Sequence, residues 1–182
     1  MKKNLPEISS AWTLFLDRDG VINERKIDGY IDKVEDFKFC KGSLNAIAKF
    51  GTFFGRIIVV TNQQGIDKSI MTHEQLNVIH SHMVDVVLMS GGRIDQIYYC
   101  PHLNVYDCTC RKPNPGMAII AKSEFPEIDF RKSIMIGDTE SDIEFGNRLK
   151  MKTIRISNVI DSDADFTFDS LDEFSIYLNN KN

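Results

Sequence analysis

Five short apolar runs, each followed by a longer amphipathic stretch, constrain the fold of this chain more than any other feature. Residues 12–16 read as a buried strand that ends at Asp17, and residues 56–60 as a β-branched run that stops at Thr61. Residues 94–99, 133–136 and 153–156 supply three more strands. Between the first two, residues 43–53 carry Leu44, Ile47 and Ala48 on one helical face. A second helix opens at Thr72, where Gln75 stands three residues on, as in a capping box. Leu76, Ile79, Met83, Val86 and Val87 keep helical spacing after it. Pro115 suits the first turn of a helix running to about residue 124, and 141–149 and 171–178 read as two more helices. Strands alternating with helices predict an α/β fold, a Rossmann-like parallel sheet with helices on both faces.

The 182 residues suit one domain, 1–182, and 42% hydrophobic residues can fill its core. A net charge of −4 argues against a general nucleic-acid surface. No run has the length of a membrane span, and the Lys-then-polar start lacks the apolar centre of a signal peptide. The expectation is a cytoplasmic monomer acting on a small molecule, with no nucleic-acid or membrane partner.

Ligands of open α/β sheets bind at the carboxyl ends of the strands. Asp17, Thr61 and Asp138 each follow an apolar run, so the topology gathers them in one crevice. Four segments carry chemistry there. Asp17-Arg18-Asp19-Gly20-Val21-Ile22-Asn23 offers two carboxylates, one fit for a nucleophile and one for general acid–base work, and is otherwise a solvated acidic turn. Thr61-Asn62-Gln63-Gln64-Gly65 offers a hydroxyl, amides and N–H groups for a phosphate, or is a plain polar turn. Arg111-Lys112-Pro113-Asn114-Pro115-Gly116 sets two cations before a helix, or on the surface. Gly137-Asp138-Thr139-Glu140-Ser141-Asp142 adds carboxylates that need a cation such as Mg²⁺ beside the first loop, or that cap a helix.

Taken in order, these four segments resemble the motifs of phosphatases of the haloacid-dehalogenase (HAD) superfamily. The resemblance implies an aspartyl-phosphate mechanism. Asp17 is then the nucleophile, and Asp19 protonates the leaving oxygen and later activates water. Thr61 and Lys112 hold the phosphoryl group. Asp17, the main-chain carbonyl of Asp19, and Asp138 bind catalytic Mg²⁺, with Asp142 in support. The second Asp of the first segment favours a phosphatase over a dehalogenase.

Cys100, His102, Cys108 and Cys110 fall within eleven residues. Three Cys and one His match closed structural zinc sites, so the loop 100–110 reads as Zn²⁺-binding. Reduced core cysteines, or a redox pair at Cys108 and Cys110, are the other readings. This loop runs straight into Arg111-Lys112 and narrows the resemblance. The chain is similar to the D-glycero-D-manno-heptose 1,7-bisphosphate 7-phosphatases and to the histidinol-phosphatases. The expected substrate is the heptose bisphosphate, hydrolysed at C7, with histidinol phosphate as the alternative. A zinc-stabilised binding protein on an inactive fold is the reading from another class. The resemblance places Asn23, Asn62, Gln63 and Arg111 against the sugar or its distal phosphate. The short gap from His102 to Cys108 departs from the heptose enzymes. No insertion long enough for a large cap domain is present, and residues 19–39 suit a local flap with Gly29, Tyr30 and Ile31 near its tip. His73, His80 and His82 read as surface or core-edge residues, Cys40 as half-buried, Trp12 as sheet packing and 161–165 as a solvated acidic loop.

Overall fold

The computed structural model describes residues 5–159 and 163–181. Its strands are β1 (Thr13–Leu16), β2 (Arg56–Asn62), β3 (Gln96–Cys100), β4 (Ser133–Gly137), β5 (Lys152–Ile156) and β6 (Phe166–Phe168). Its helices are α1 (Ser43–Phe53), α2 (His73–Met89), α3 (Gly116–Glu124), α4 (Glu140–Arg148) and α5 (Leu171–Lys181). All strand pairs are parallel, in the order β3-β2-β1-β4-β5-β6. The expected α/β class is the observed one.

Successive side chains on a strand point to opposite faces, and here both faces are apolar. Leu14, Leu16, Ile57, Val59, Ile134 and Ile136 meet α1, α2 and α5 through Ile47, Phe50, Met83 and Phe174. Phe15, Ile58, Val60 and Met135 face α3 and α4 through Met117, Ala118, Ala121 and Phe145. Fully burying a side chain of this size contributes about 1.5–3 kcal/mol. The double covering explains why the strands read as continuous apolar runs rather than alternating ones.

α2 has the expected capping box: Thr72 N donates to Gln75 Oε1 at 2.8 Å and Gln75 N to Thr72 Oγ1 at 3.2 Å. Several boundaries differ from expectation. β2 continues through Thr61 to Asn62, because β3 pairs with it as far as Asn62↔Cys100. Asp95 stands before β3, and its carboxylate accepts from Ile57 N at 2.6 Å. Pro115 is the N-cap of α3 rather than a residue of its first turn. β6 was not expected. It is three residues long, pairs with β5, and is anchored by Phe168 on Phe174 and Tyr177, at 5.2 and 5.4 Å between ring centroids. Trp12 is buried and Cys40 half-buried. Of the chain start and the acidic loop, residues 1–4 and 160–162 lie outside the described residues. Among the described residues no helix is long and apolar enough to cross a membrane.

Candidate active site

The carboxyl ends of β1, β2 and β4 open onto one cleft of about 230 Å³, walled by Asp17, Asp19, Thr61, Gln63, Lys112 and Asp142 among others. β1 hands off to Asp17, whose N–H donates to Ile136 O of β4 at 2.9 Å. The carboxylate is therefore fixed at the carboxyl end of a central strand by the same ladder that builds the core.

Lys112 reaches Asp17 from the far side. Its ammonium stands 2.7 Å from Asp17 Oδ1, 2.7 Å from Val60 O and 2.6 Å from Asp142 Oδ1. The first two contacts are hydrogen bonds and the third is an ion pair, so the buried charge is matched by two carboxylates and one carbonyl. Burial lowers the Lys112 pKa, but Asp142 and Asp17 outweigh it and hold the amine protonated. Burial pushes Asp17 up to about 7; Lys112 pulls it down, while Asp142, Asp138 and Asp19 push it up. Asp142 has two tasks: Oδ1 faces Lys112, while Oδ2 accepts from Thr139 N at 3.0 Å and Thr139 Oγ1 at 2.6 Å, closing the capping box of α4. The helix-cap reading of Asp142 is the observed one, and its other oxygen pairs with Lys112.

Asp19 is held by three side chains. Arg18 Nη2 lies 2.8 and 2.9 Å from its two oxygens, Asn23 Nδ2 2.9 Å from Oδ1 and Gln63 Nε2 2.8 Å from Oδ2. Burial raises the Asp19 pKa, but Arg18 and these bonds lower it further, so the net shift is downward. Arg18 is fully buried, with its Nη1 3.2 Å from His80 Nε2. Burial and the Arg18 charge push His80 down to about 3, so the ring is neutral and accepts from Arg18. Asn23, expected at the substrate, is instead fully buried and turned to Asp19 and Glu24 O. Asn62 pins the segment between β3 and α3: its side chain bonds both N and O of Lys112, at 3.0 and 3.2 Å. Gln63 also donates to Thr61 Oγ1 at 2.8 Å, which leaves the threonine proton free to point into the cleft.

The carboxylates of Asp17, Asp138 and Asp142 come within 4.8 Å of one another. Since Asp142 Oδ1 is turned to Lys112, the accessible oxygens are those of Asp17 and Asp138 and the main-chain oxygen of Asp19. A cation already sits where they converge: Arg25 Nη2 is 2.8 Å from Asp19 O, 2.8 Å from Asp138 Oδ1 and 4.0 Å from Asp17 Oδ2. A guanidinium at that point, and an Asp17 pushed upward partly by carboxylate repulsion, show a niche that calls for positive charge. Its all-oxygen donor set fits Mg²⁺. The niche requires glycine at residue 20, where φ is +92° and a Cβ would lie 2.0 Å from Asp138 Oδ2.

Cys100, His102, Cys108 and Cys110 place one ligand atom each within 4.8 Å of the others. The thiols are free, and their sulfur–sulfur distances of 3.0–3.6 Å approach the roughly 3.8 Å that tetrahedral Zn–S bonds impose. Arg111, next in sequence, donates to Asn104 Oδ1 and His102 O, both at 3.2 Å, and faces the cleft. The flap segment also reaches the cleft, with Tyr30 hydroxyl accepting from Gln64 at 3.2 Å. Sequence reasoning missed Arg25 and the Arg18–His80 pair. Arg18 stands inside the first of the four segments, and a strongly basic residue between two carboxylates was the available signal.

Comparison with known proteins agrees with this geometry. The HAD-hydrolase-like family model matches residues 109–170. A D-glycero-alpha-D-manno-heptose-1,7-bisphosphate 7-phosphatase of Mycobacterium tuberculosis is 34% identical over 171 residues, covering 91% of this chain and 90% of its own. The protein of the same description from Campylobacter jejuni is 38% identical over 153 residues, covering 84% and 86%. In fold, the chain is similar to the D,D-heptose 1,7-bisphosphate phosphatase of B. bronchiseptica, solved with magnesium and phosphate, at a TM-score of 0.85 and 24% identity over 94% of this chain and 99% of the other. Sequence, sheet order and the carboxylate–lysine cleft converge, and the chain belongs to the HAD family of phosphatases.

Proposed function

We propose that this protein is a Mg²⁺-dependent phosphatase that removes the C7 phosphate of D-glycero-D-manno-heptose 1,7-bisphosphate by way of an aspartyl-phosphate on Asp17. The observation that carries the proposal is one buried cluster: Asp17 bonded to Lys112 at 2.7 Å, beside an acid–base candidate and a carboxylate niche for a cation. The relatives' names supply the substrate. Histidinol phosphate would use the same residues, and no observation favours it. An inactive scaffold is disfavoured because Asp17, Asp19, Lys112 and Asp138 are all present.

Asp17 attacks phosphorus, and the ester P–O bond breaks as the leaving oxygen takes a proton from Asp19. Asp19 then accepts a proton from water. That water attacks phosphorus, the bond to Asp17 breaks, and phosphate leaves. Despite burial, Arg18 and the bonds to Asn23 and Gln63 lower the Asp19 pKa, so the proton it delivers is taken up from solvent as an entering phosphate dianion raises its proton affinity. Lys112 and the Thr61 hydroxyl hold the phosphoryl oxygens, and Gln63 orients both Thr61 and Asp19. Mg²⁺, held by Asp17, Asp138 and the main-chain oxygen of Asp19, would neutralise the charge that an anionic nucleophile meets at an anionic substrate. Asn23 and Asn62 are positioning residues for Asp19 and Lys112. Zn²⁺ bound by Cys100, His102, Cys108 and Cys110 would fix the loop that carries Arg111 and Lys112, within a single domain acting as a monomer.

Acid-quenched mixing with the bisphosphate, read by peptide mass spectrometry, tests the intermediate. A phosphoryl increment is expected on the peptide containing Asp17 and is expected to be absent in Asp17→Asn. An increment that persists in the variant would sink the nucleophile assignment.

A further inference from the structure

Arg25 holds a position that Mg²⁺ also needs. Besides the contacts of its Nη2, its Nε donates to Asp138 Oδ2 at 3.1 Å. Among the described residues, every partner of this guanidinium belongs to the carboxylate niche. Mg²⁺ takes its oxygen ligands at about 2.0–2.1 Å with little tolerance for distortion, so the two cations cannot share these oxygens. Arg25 can leave: its side chain is 48% exposed and lines the cleft.

Charge decides what it does next. Its neighbour Lys26 is already paired with Asp36 at 2.8 Å and with Asp32 at 3.8 Å. Among the described residues, Arg111, which lines the same cleft, bonds neutral oxygens alone, those of Asn104 and His102. An Arg25 released from the niche is therefore a second arginine in the cleft without a carboxylate partner. Planar guanidinium forks suit phosphate oxygens better than any other side chain.

We infer that Mg²⁺ displaces Arg25 from the carboxylate niche, and that the freed guanidinium joins Arg111 in gripping the phosphate that is not transferred. This rests on the proposed reaction with a bisphosphate. Metal entry then completes the subsite for the substrate's second anionic group, and the metal binds first.

Calorimetry of Mg²⁺ alone with the full chain tests the displacement. Arg25→Ala is expected to bind Mg²⁺ about fivefold more tightly than wild type, since no internal cation has to leave, with Arg25→Lys between them. Kinetics test the second half. Loss of Arg25 is expected to raise KM for the bisphosphate about tenfold with a much smaller change in kcat. Preference over the same sugar carrying only the C7 phosphate falls with it, and Arg25→Lys restores part of it. Unchanged or weaker Mg²⁺ binding by Arg25→Ala overturns the displacement, and an unchanged preference overturns the phosphate contact. Wild-type protein that releases phosphate from neither sugar contradicts the proposed reaction instead, and the calorimetry still decides the displacement.

Discussion

Asp17 is squeezed between opposing demands. Its ammonium partner favours the charged form, while burial and three neighbouring carboxylates favour the proton and push it up to about 7. A proton and a divalent cation compete for the same oxygens, so Mg²⁺ affinity is expected to rise about tenfold per pH unit below 7 and to flatten above it. Calorimetry between pH 5.5 and 8 checks this, and a flat profile would contradict it. The sign for stability is the reverse. A carboxyl with a raised folded pKa favours the metal-free fold below its unfolded value of 3.8, and that contribution is lost as pH rises through about 7. Residues of this kind were legible because Asp17, Thr61 and Asp138 each end an apolar run, and Lys112 sits in a basic pair before a helix. Arg25 and His80 were not. Arg25 lies in an irregular segment with no periodicity to aim it, and the value of His80 depends on a buried guanidinium that only the fold places beside it. Asn23 misled for the same reason: its amide was legible, but the direction it faces was not.

At the scale of elements, the loops after the strands are shaped by what the carboxylates need. Gly20, in the left-handed region, lets the turn after β1 close on Asp138. Gly20→Ala is expected to cost about 1–3 kcal/mol through backbone strain and contact with that carboxylate. Thermal melting should show Tm lower by about 5 °C, with weaker Mg²⁺ binding; an unchanged melt would refute the close approach. The loop after β3 is organised by its Cys/His cluster. Cys108→Ser is expected to lower zinc from about one ion per chain and to lower Tm, as metal analysis and melting would show. Unchanged zinc would remove Cys108 from the ligand set. Most elements were visible in the sequence because buried strands and amphipathic helices carry different periods. β6 was not, since a three-residue strand carries no period, and its place is set by Phe168 packing on α5.

The whole molecule is one six-stranded sheet with its chemistry at the carboxyl ends of the central strands β1, β2 and β4. Those three are adjacent because the chain crosses back to β1's other side after β3, so one crevice receives Asp17, Thr61 and the acidic loop together. Nothing in the described residues builds a large cap over that crevice, and the flap segment, the Cys/His loop and two arginines form its rim. Such a rim suits a substrate that brings a second anionic group of its own. Mg²⁺-dependent phosphate release from heptose 1,7-bisphosphate and from histidinol phosphate, measured side by side, tests this most directly. The expected result is release that requires Mg²⁺ and Asp17, with kcat/KM for the bisphosphate higher on the order of a hundredfold. Equal rates, a preference for histidinol phosphate, or release that survives Asp17→Asn would contradict it.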